Sequence, residues 1–279
     1  MKYLFFGTPE FAAIILEKLI KAGFSPEAVV CNPDRAVGRK KIITAPAAKV
    51  IAQKYNIPVL QPENLELGIR NWEFKKIKNI IFDFFVVAAY AKILPKKILE
   101  IPKRGAIGVH PSLLPKYRGP TPIQSAILNG ETETGVTLFL LDEKVDHGPI
   151  VSNVQCQMSN ADTYETLLKK LADLSANLLI ETAPKFIKGE IKPRPQNEAE
   201  ATYTKKFSLE DAYADLEKDE PEIIIRKIRA LNPEPGVWTI KQIQGKPQRI
   251  KIVAAEIENR RLKITKAYAA GEKKATTTR

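Results

Sequence analysis

Residues 80 to 89 read IIFDFFVVAA. Apart from Asp83 the run is apolar and does not alternate, the pattern of a strand buried on both faces. Such a strand needs helices on each side of its sheet, and the flanking sequence supplies them. Upstream, Lys2 to Phe6 reads as a strand, Gly7-Thr8-Pro9 as a turn and Glu10 to Ala22 as a helix. In that helix Phe11, Ile14, Ile15, Leu19 and Ile20 fall near helical spacing, and Gly23 is the stop. Ala28 to Cys31 is a second strand, and residues 32 to 46 form a loop by their Pro and Gly content. Pro46 to Tyr55 follows as a helix and Val59-Leu60 as a brief strand. Downstream, Tyr90 to Pro95 is the exit loop of the 80–89 strand. Ala106 to Val109 and Thr137 to Leu141 are two more strands, with a helix from Pro122 to Asn129 between them. Strand and helix alternate throughout. The fold is therefore read as α/β, a mostly parallel sheet with helices on both faces.

The last third has a different character. Asp162 to Ile187 is a long amphipathic helix, with capping residues in Asn160-Ala-Asp-Thr-Tyr-Glu and Gly189 just past its end. Residues 189 to 206 are a proline-bearing polar linker, which divides a first domain, 1 to 188, from a second, 207 to 279. In the second, a helix around Pro221 to Ala230 leads to short strands at Trp238 to Ile243, Arg249 to Ala254 and Leu262 to Ile264. A small antiparallel β-domain fits that pattern, and residues 270 to 279 read as a frayed end.

A chain of 279 residues has room for two domains and a substantial core. Its 44% hydrophobic and 27% charged content is ordinary for a globular protein. No apolar run approaches the roughly 20 residues that span a bilayer. The opening MKYLFFGTPEF meets Gly-Thr-Pro-Glu too soon for a signal peptide, so a cytoplasmic monomer is expected. Cys31 and Cys156 lie far apart without metal-ligand spacing, which favours buried reduced thiols and leaves no structural zinc site. The net charge of +12 is concentrated near the end of the chain. Residues 226 to 279 carry 14 Lys/Arg against 4 Asp/Glu, and the first 225 carry 30 against 28. Such asymmetry points to a polyanionic partner, most often nucleic acid, with a merely solubilising surface as the alternative.

The chemistry gathers between Ile107 and Val151. Both histidines of the protein, His110 and His147, lie there, and Asp146 stands beside the second. Open sheets bind ligands beyond the C-terminal ends of their strands; His110 follows one such strand and Asp146 comes shortly after another. A carboxylate beside an imidazole orients it and lets the two move a proton. Taken singly, His110 could equally be a packed histidine and Asp146 a turn former. Ser112 and Cys156 lack the context of a nucleophile, so the segment suggests direct transfer assisted by acid–base residues.

Several motifs resemble one family. His110-Pro-Ser-Leu-Leu-Pro, Tyr117-Arg-Gly, Pro122-Ile-Gln and the LDEKVDHGPI segment are similar to those of the folate-dependent formyltransferases. So are Phe6-Gly-Thr-Pro-Glu-Phe, Asn32-Pro-Asp-Arg, Ala89-Tyr90-Ala-Lys-Ile-Leu-Pro and Ile228-Arg-Ala-Leu-Asn-Pro-Glu-Pro-Gly. The resemblance runs over residues 1 to about 255. It implies a Rossmann-like catalytic domain joined to an OB-like C-terminal barrel. The implied reaction moves a formyl group from 10-formyltetrahydrofolate to the amino group of methionine on initiator tRNA, with no metal. It makes His110 and Asp146 the catalytic pair, His110 serving the oxyanion and Asp146 orienting it and handling the amine's proton. The implied folate segments are Ala89, Tyr90, Ala91, Ile93 and Leu94, then the turn of Ser112, Leu113, Leu114 and Pro115, then Leu141, Asp142 and Val145. Arg35, Arg39, Lys40 and Lys41 match the loop that enters the tRNA acceptor end, Arg39 at its most important basic position; a solvated basic loop is the alternative.

The pattern also departs from the family. The family's triad has Asn two residues before His, and here that place holds Gly108. Losing an amide donor to an oxyanion costs about 10²–10³ in rate, and the sequence offers no structural reason for the glycine. Ala91 stands where Gly is usual. The region from Phe207 onward, 73 residues, is short for the family's barrel. Two competing readings follow: a formyltransferase acting on a sugar-nucleotide or ribonucleotide amine, and an RNA-binding relative whose catalysis is impaired at Gly108.

Overall fold

A computed structural model describes residues 1–38, 40–63 and 80–269. The chain divides into two compact units. The larger comprises residues 1–118, 134–156 and 168–202, and the smaller residues 119–133, 157–167 and 203–279. The first unit thus ends at Thr202, within the segment read as the linker.

The larger unit is built on a seven-stranded sheet. Its strands are β1 (Tyr3–Gly7), β2 (Ala28–Val30), β5 (Val59–Leu60), β6 (Phe84–Ala88), β7 (Ala106–His110), β8 (Glu133–Leu140) and β9 (Ile150–Gln157). Their order is β5-β2-β1-β6-β7-β8-β9. Pairing is parallel from β5 through β7, and β8 runs antiparallel to β7. This is the Rossmann-like sheet that the alternating sequence implied. The strand order reverses between β1 and β6, where doubly wound sheets open their ligand crevice. All five residues of β1, β6 and β7 are buried. Leu4, Phe6, Val30, Phe85, Val87 and Ile98 belong to one core cluster, and burying each such side chain contributes about 1.5–3 kcal/mol.

Helix α1 (Glu10–Lys21) has Glu10 in its first turn and Lys18 and Lys21 in its last, each charge complementing the helix dipole. Helix α2 (Ala47–Lys54) and the single turn α3 (Lys96–Leu99) follow. Helix α4 (Pro122–Asn129) opens with proline at its first position and closes on Gly130 at φ +69°, both standard terminators. Helix α5 (Tyr164–Ile187) begins two residues later than the sequence suggested. Asp162 instead closes the turn before the helix: its Oδ2 accepts from the Ser159 amide at 2.8 Å.

Three differences from the sequence reading have simple causes. The 80–89 run yields a strand only from Phe84, because its ladder with β1 starts at the Tyr3–Phe84 pair. Strand β9 was not anticipated; as IVSNVQCQ it exposes every second residue and carries little apolar signal. The loop at 32–46 contains a hairpin, β3 (Arg35–Val37) with β4 (Ile42–Thr44), exposed at every position and so without burial periodicity.

In the smaller unit, α4 packs against helix α6 (Pro221–Leu231), which also packs on the strand Lys246–Glu258. A three-stranded antiparallel sheet, β10 (Trp238–Ile243), β11 (Lys246–Glu258) and β12 (Arg261–Ala269), forms the expected small β-domain. Trp238 anchors it: its ring lies 4.8 Å from Tyr213, its Nε1 donates to the Leu209 carbonyl at 2.8 Å, and Arg249 stacks over it at 4.2 Å. Residues 270–279, expected to fray, lie outside the described residues.

Candidate active site

Strand β7 delivers His110 to its C-terminal end, and the loop after β8 brings Asp146 to meet it. His110 Nδ1 lies 3.6 Å from Asp146 Oδ2, with side-chain exposures of 7% and 22%. His110 Nε2 sits 2.8 Å from the Tyr117 carbonyl oxygen. A carbonyl only accepts, so Nε2 carries a proton and Nδ1 is the nitrogen turned toward Asp146. At 3.6 Å the pair is not directly hydrogen-bonded. A nitrogen about 2.8 Å from each could bridge them.

The backbone around this pair is unusual. Ala89, Tyr117 and Asp146 take φ of +48°, +63° and +48°. L-residues enter that region at a cost of order 1–2 kcal/mol, and such strain clusters where function demands a special geometry. Ala89 directly follows β6 at the switch point, Tyr117 holds His110, and Asp146 carries the carboxylate.

Gly108 has a structural explanation that the sequence did not reveal. It lies on the same face of β7 as His110, directly paired with Phe139 of β8. A Cβ at 108 would stand 2.5 Å from Phe139 Cε1 and 2.6 Å from Leu141 Cδ1. Phe139 is only 3% exposed, so its ring cannot move freely aside. Glycine is what this cross-strand packing requires.

The remaining expected residues are distributed as follows. Tyr90 turns its ring into the core, edge-on to Phe6 at 5.6 Å, where burial pushes its hydroxyl up to about 12. That hydroxyl and Asn32 Oδ1 are buried without a hydrogen-bond partner among the described residues. Leu94 is buried, whereas Ile93 is 78% and Val145 56% exposed. Ser112 Oγ donates to the Lys116 carbonyl at 2.7 Å, and Thr137 ties the Ser112–Leu114 turn by donating to the Ser112 carbonyl at 2.7 Å and accepting from the Leu114 amide at 3.0 Å. Asp142 accepts from the Lys144 amide at 2.9 Å and reaches His147 Nδ1 at 2.6 Å, so both side chains shape the 142–148 loop. Arg35, Lys40 and Lys41 are exposed on the β3–β4 hairpin; Arg39 lies outside the described residues. Among the described residues no group of His, Cys, Asp and Glu could hold a metal ion, and no helix is long and apolar enough to cross a membrane.

Sequence reasoning missed Arg118 and Gln196. Arg118 is fully buried and donates to both oxygens of Glu198, at 2.9 and 2.6 Å. This guanidinium holds the Glu198 carboxyl below the usual carboxylate range. Arg118 also donates to Gln196 Oε1 at 3.2 and 2.7 Å.

The family model described as "Formyl transferase" matches residues 1–183. The chain belongs to the formyl transferase family. A methionyl-tRNA formyltransferase of Halalkalibacterium halodurans is 43% identical over 250 residues, covering 90% of this chain and 77% of that relative. WlaRD, a sugar 3N-formyl transferase, superposes with a TM-score of 0.64 at 21% identity, covering 93% of this chain and 87% of its own. A variant of HypX from Aquifex aeolicus gives 0.67 at 20% identity over 93% of this chain, which spans only 40% of HypX. These two likenesses are of fold. As a member of its family the chain is a formyl-transferring enzyme.

The cysteines stand apart from this chemistry. Burial pushes the Cys31 thiol up to about 11, while Cys156 is half-buried on β9. Iodoacetamide at neutral pH is therefore expected to label Cys156 at least about tenfold faster than Cys31. Peptide mapping of the alkylated protein checks this.

Proposed function

We propose that this chain transfers a formyl group from 10-formyltetrahydrofolate to the amino group of methionyl initiator tRNA. The observation that carries the reading is the 43% identity, over 90% of the chain, to a relative named for that activity. The folate supplies the formyl carbon. The segments proposed to hold it suit an aromatic ring system: Ile93 and Val145 are large apolar side chains left exposed there. The Tyr90 hydroxyl, without a hydrogen-bond partner among the described residues, adds a buried polar atom next to the same segment.

The proposed mechanism uses His110 and Asp146. The aminoacyl amine lies beside Asp146 and attacks the formyl carbon, which becomes tetrahedral. Asp146 accepts the proton that the amine loses, and His110, when protonated, donates from Nδ1 to the developing oxyanion. The intermediate collapses by breaking the bond between the formyl carbon and N10 of the folate, and N10 takes the proton from Asp146 as tetrahydrofolate leaves. Its Nε2–H is already committed to Tyr117, so the ring is held in the orientation that aims Nδ1. Gly108 contributes no side chain, which leaves His110 the larger share of oxyanion stabilisation.

For the tRNA, two basic surfaces are proposed. One is the hairpin bearing Arg35, Lys40 and Lys41, to which the sequence adds Arg39. The other is the β10–β12 sheet, where Lys241, Lys246, Arg249, Lys251, Arg260, Arg261, Lys263 and Lys266 are all exposed. Residues 1–188 would then be the catalytic domain, 189–206 the linker and 207–279 an OB-like tRNA-binding domain.

Formylation of charged initiator tRNA, run beside an amino-sugar nucleotide, tests the reading. Transfer to the tRNA alone is expected, with KM for tRNA rising steeply between 50 and 200 mM salt. Transfer to the sugar nucleotide alone would replace this reading with the small-acceptor one. Tight tRNA binding without turnover would favour an impaired RNA-binding relative.

A further inference from the structure

Gln196 spends both hydrogens of its side-chain amide on the loop that carries Asp146. Its Nε2 donates to the backbone carbonyls of Asp146 and Gly148, at 2.9 and 2.8 Å. Its Oε1 accepts twice from the buried guanidinium of Arg118, at 3.2 and 2.7 Å. The amide therefore stands fully satisfied between a fixed cation and a loop whose aspartate has φ +48°. Six residues further on, Thr202 does the corresponding work for His110. Its Oγ1 accepts from the Tyr117 amide at 2.8 Å, and the Tyr117 carbonyl is the acceptor for His110 Nε2 at 2.8 Å. The Thr202 carbonyl also accepts from the Arg118 amide at 2.9 Å. The segment is pinned at its start too, where Arg194 and Ile150 exchange backbone hydrogen bonds of 2.7 and 2.8 Å.

We propose that residues 194–202 act as a positioning strap for the His110–Asp146 pair. Gln196, backed by Arg118, sets the Asp146 side, and Thr202 sets the His110 side through Tyr117. A segment that is polar and proline-bearing in sequence thus holds both partners at their separation. None of these three touches the reacting atoms, so each is a positioning residue. The proposal rests on the formyl-transfer reading for its kinetic arm only.

Gln196→Glu is the sharpest variant. The carboxylate keeps and strengthens the Arg118 contact, yet it cannot donate to the two carbonyls. A misplacement of about an ångström can cost about 100-fold in rate. The expected result is a kcat per folded molecule about 10- to 100-fold lower, with KM for both substrates within about twofold. Thr202→Val is expected to lower kcat in the same way, and Thr202→Ser, which keeps the acceptor oxygen, to retain it. A purely structural role would lower Tm and leave kcat per folded molecule intact. Wild-type kcat in both Gln196→Glu and Thr202→Val would overturn the strap.

A second readout does not depend on turnover. The His110 Nε2 proton, hydrogen-bonded to Tyr117, should give a slowly exchanging imidazole NMR signal. His147→Gln assigns it, because the chain has only two histidines. The signal is expected to vanish in Thr202→Val and survive in Thr202→Ser. Its survival in Thr202→Val would refute the His110 side of the strap even if the wild type formylated nothing.

Discussion

Replacing Asp146 with asparagine is expected to lower formyl transfer to methionyl-tRNA about a thousandfold while leaving the protein folded. A group that moves a proton in the transition state contributes about 10²–10⁴-fold, and Asp146 is the carboxylate beside His110 Nδ1, 3.6 Å away. Asparagine is nearly isosteric with aspartate, so the change removes the charge and keeps the shape of the side chain, which is 22% exposed. Asparagine is the better probe than alanine because φ at 146 is +48°. Asn tolerates that conformation, whereas Ala adds a backbone cost of about 1–2 kcal/mol. Asp146→Ala should therefore show the same loss of rate together with a lower Tm. Steady-state kinetics and thermal unfolding on both variants separate the two effects. An Asp146→Asn enzyme keeping more than about a tenth of the wild-type kcat would remove the carboxylate from the chemistry.

The strand-end positions of His110 and Asp146 could be read from sequence because a buried parallel strand announces itself. Residues 84–88 and 106–110 are buried throughout, so their composition alone marks them, and ligand sites lie at such strand ends. The mostly parallel sheet follows from the same signal, whereas its strand order and its edge strand β9 did not. What could not be read were contacts made by polar residues far apart in the chain. Gln196 reaches Asp146 across 50 residues and Arg118 reaches Glu198 across 80. Neither belongs to a periodic pattern, and a segment rich in Pro, Glu and Asn has the composition of a solvated loop. Arg118 was equally opaque: an arginine in a Tyr-Arg-Gly turn is usually a surface residue, yet here it is fully buried and paired. The exposed β3–β4 hairpin failed for the opposite reason, since a strand with no buried face leaves no alternation to detect.

At Gly108, proposed as the place of the family's asparagine, one substitution is not expected to restore an amide. Gly108→Asn is expected to lose about 1–3 kcal/mol of stability, because the new side chain meets a buried ring and a leucine methyl inside van der Waals contact. For a domain of this size that is a fall in Tm of about 2–12 °C. No gain in kcat is expected from this variant, since the amide cannot occupy the space beside His110 while Phe139 fills it. Phe139→Ala alone should also destabilise, by about 3–5 kcal/mol, through the cavity it leaves. The double variant Gly108→Asn/Phe139→Ala should be more stable than the sum of the two changes, with a coupling of about 0.5–3 kcal/mol. If the amide then reaches the oxyanion, kcat of the double variant should exceed that of Phe139→Ala by up to about 10²–10³-fold. The thermodynamic cycle reports on packing and the kinetic comparison on chemistry, so the two can fail separately. A Gly108→Asn protein as stable as the wild type would show that Phe139 yields easily, and the glycine would then need another explanation than the ring across the ladder.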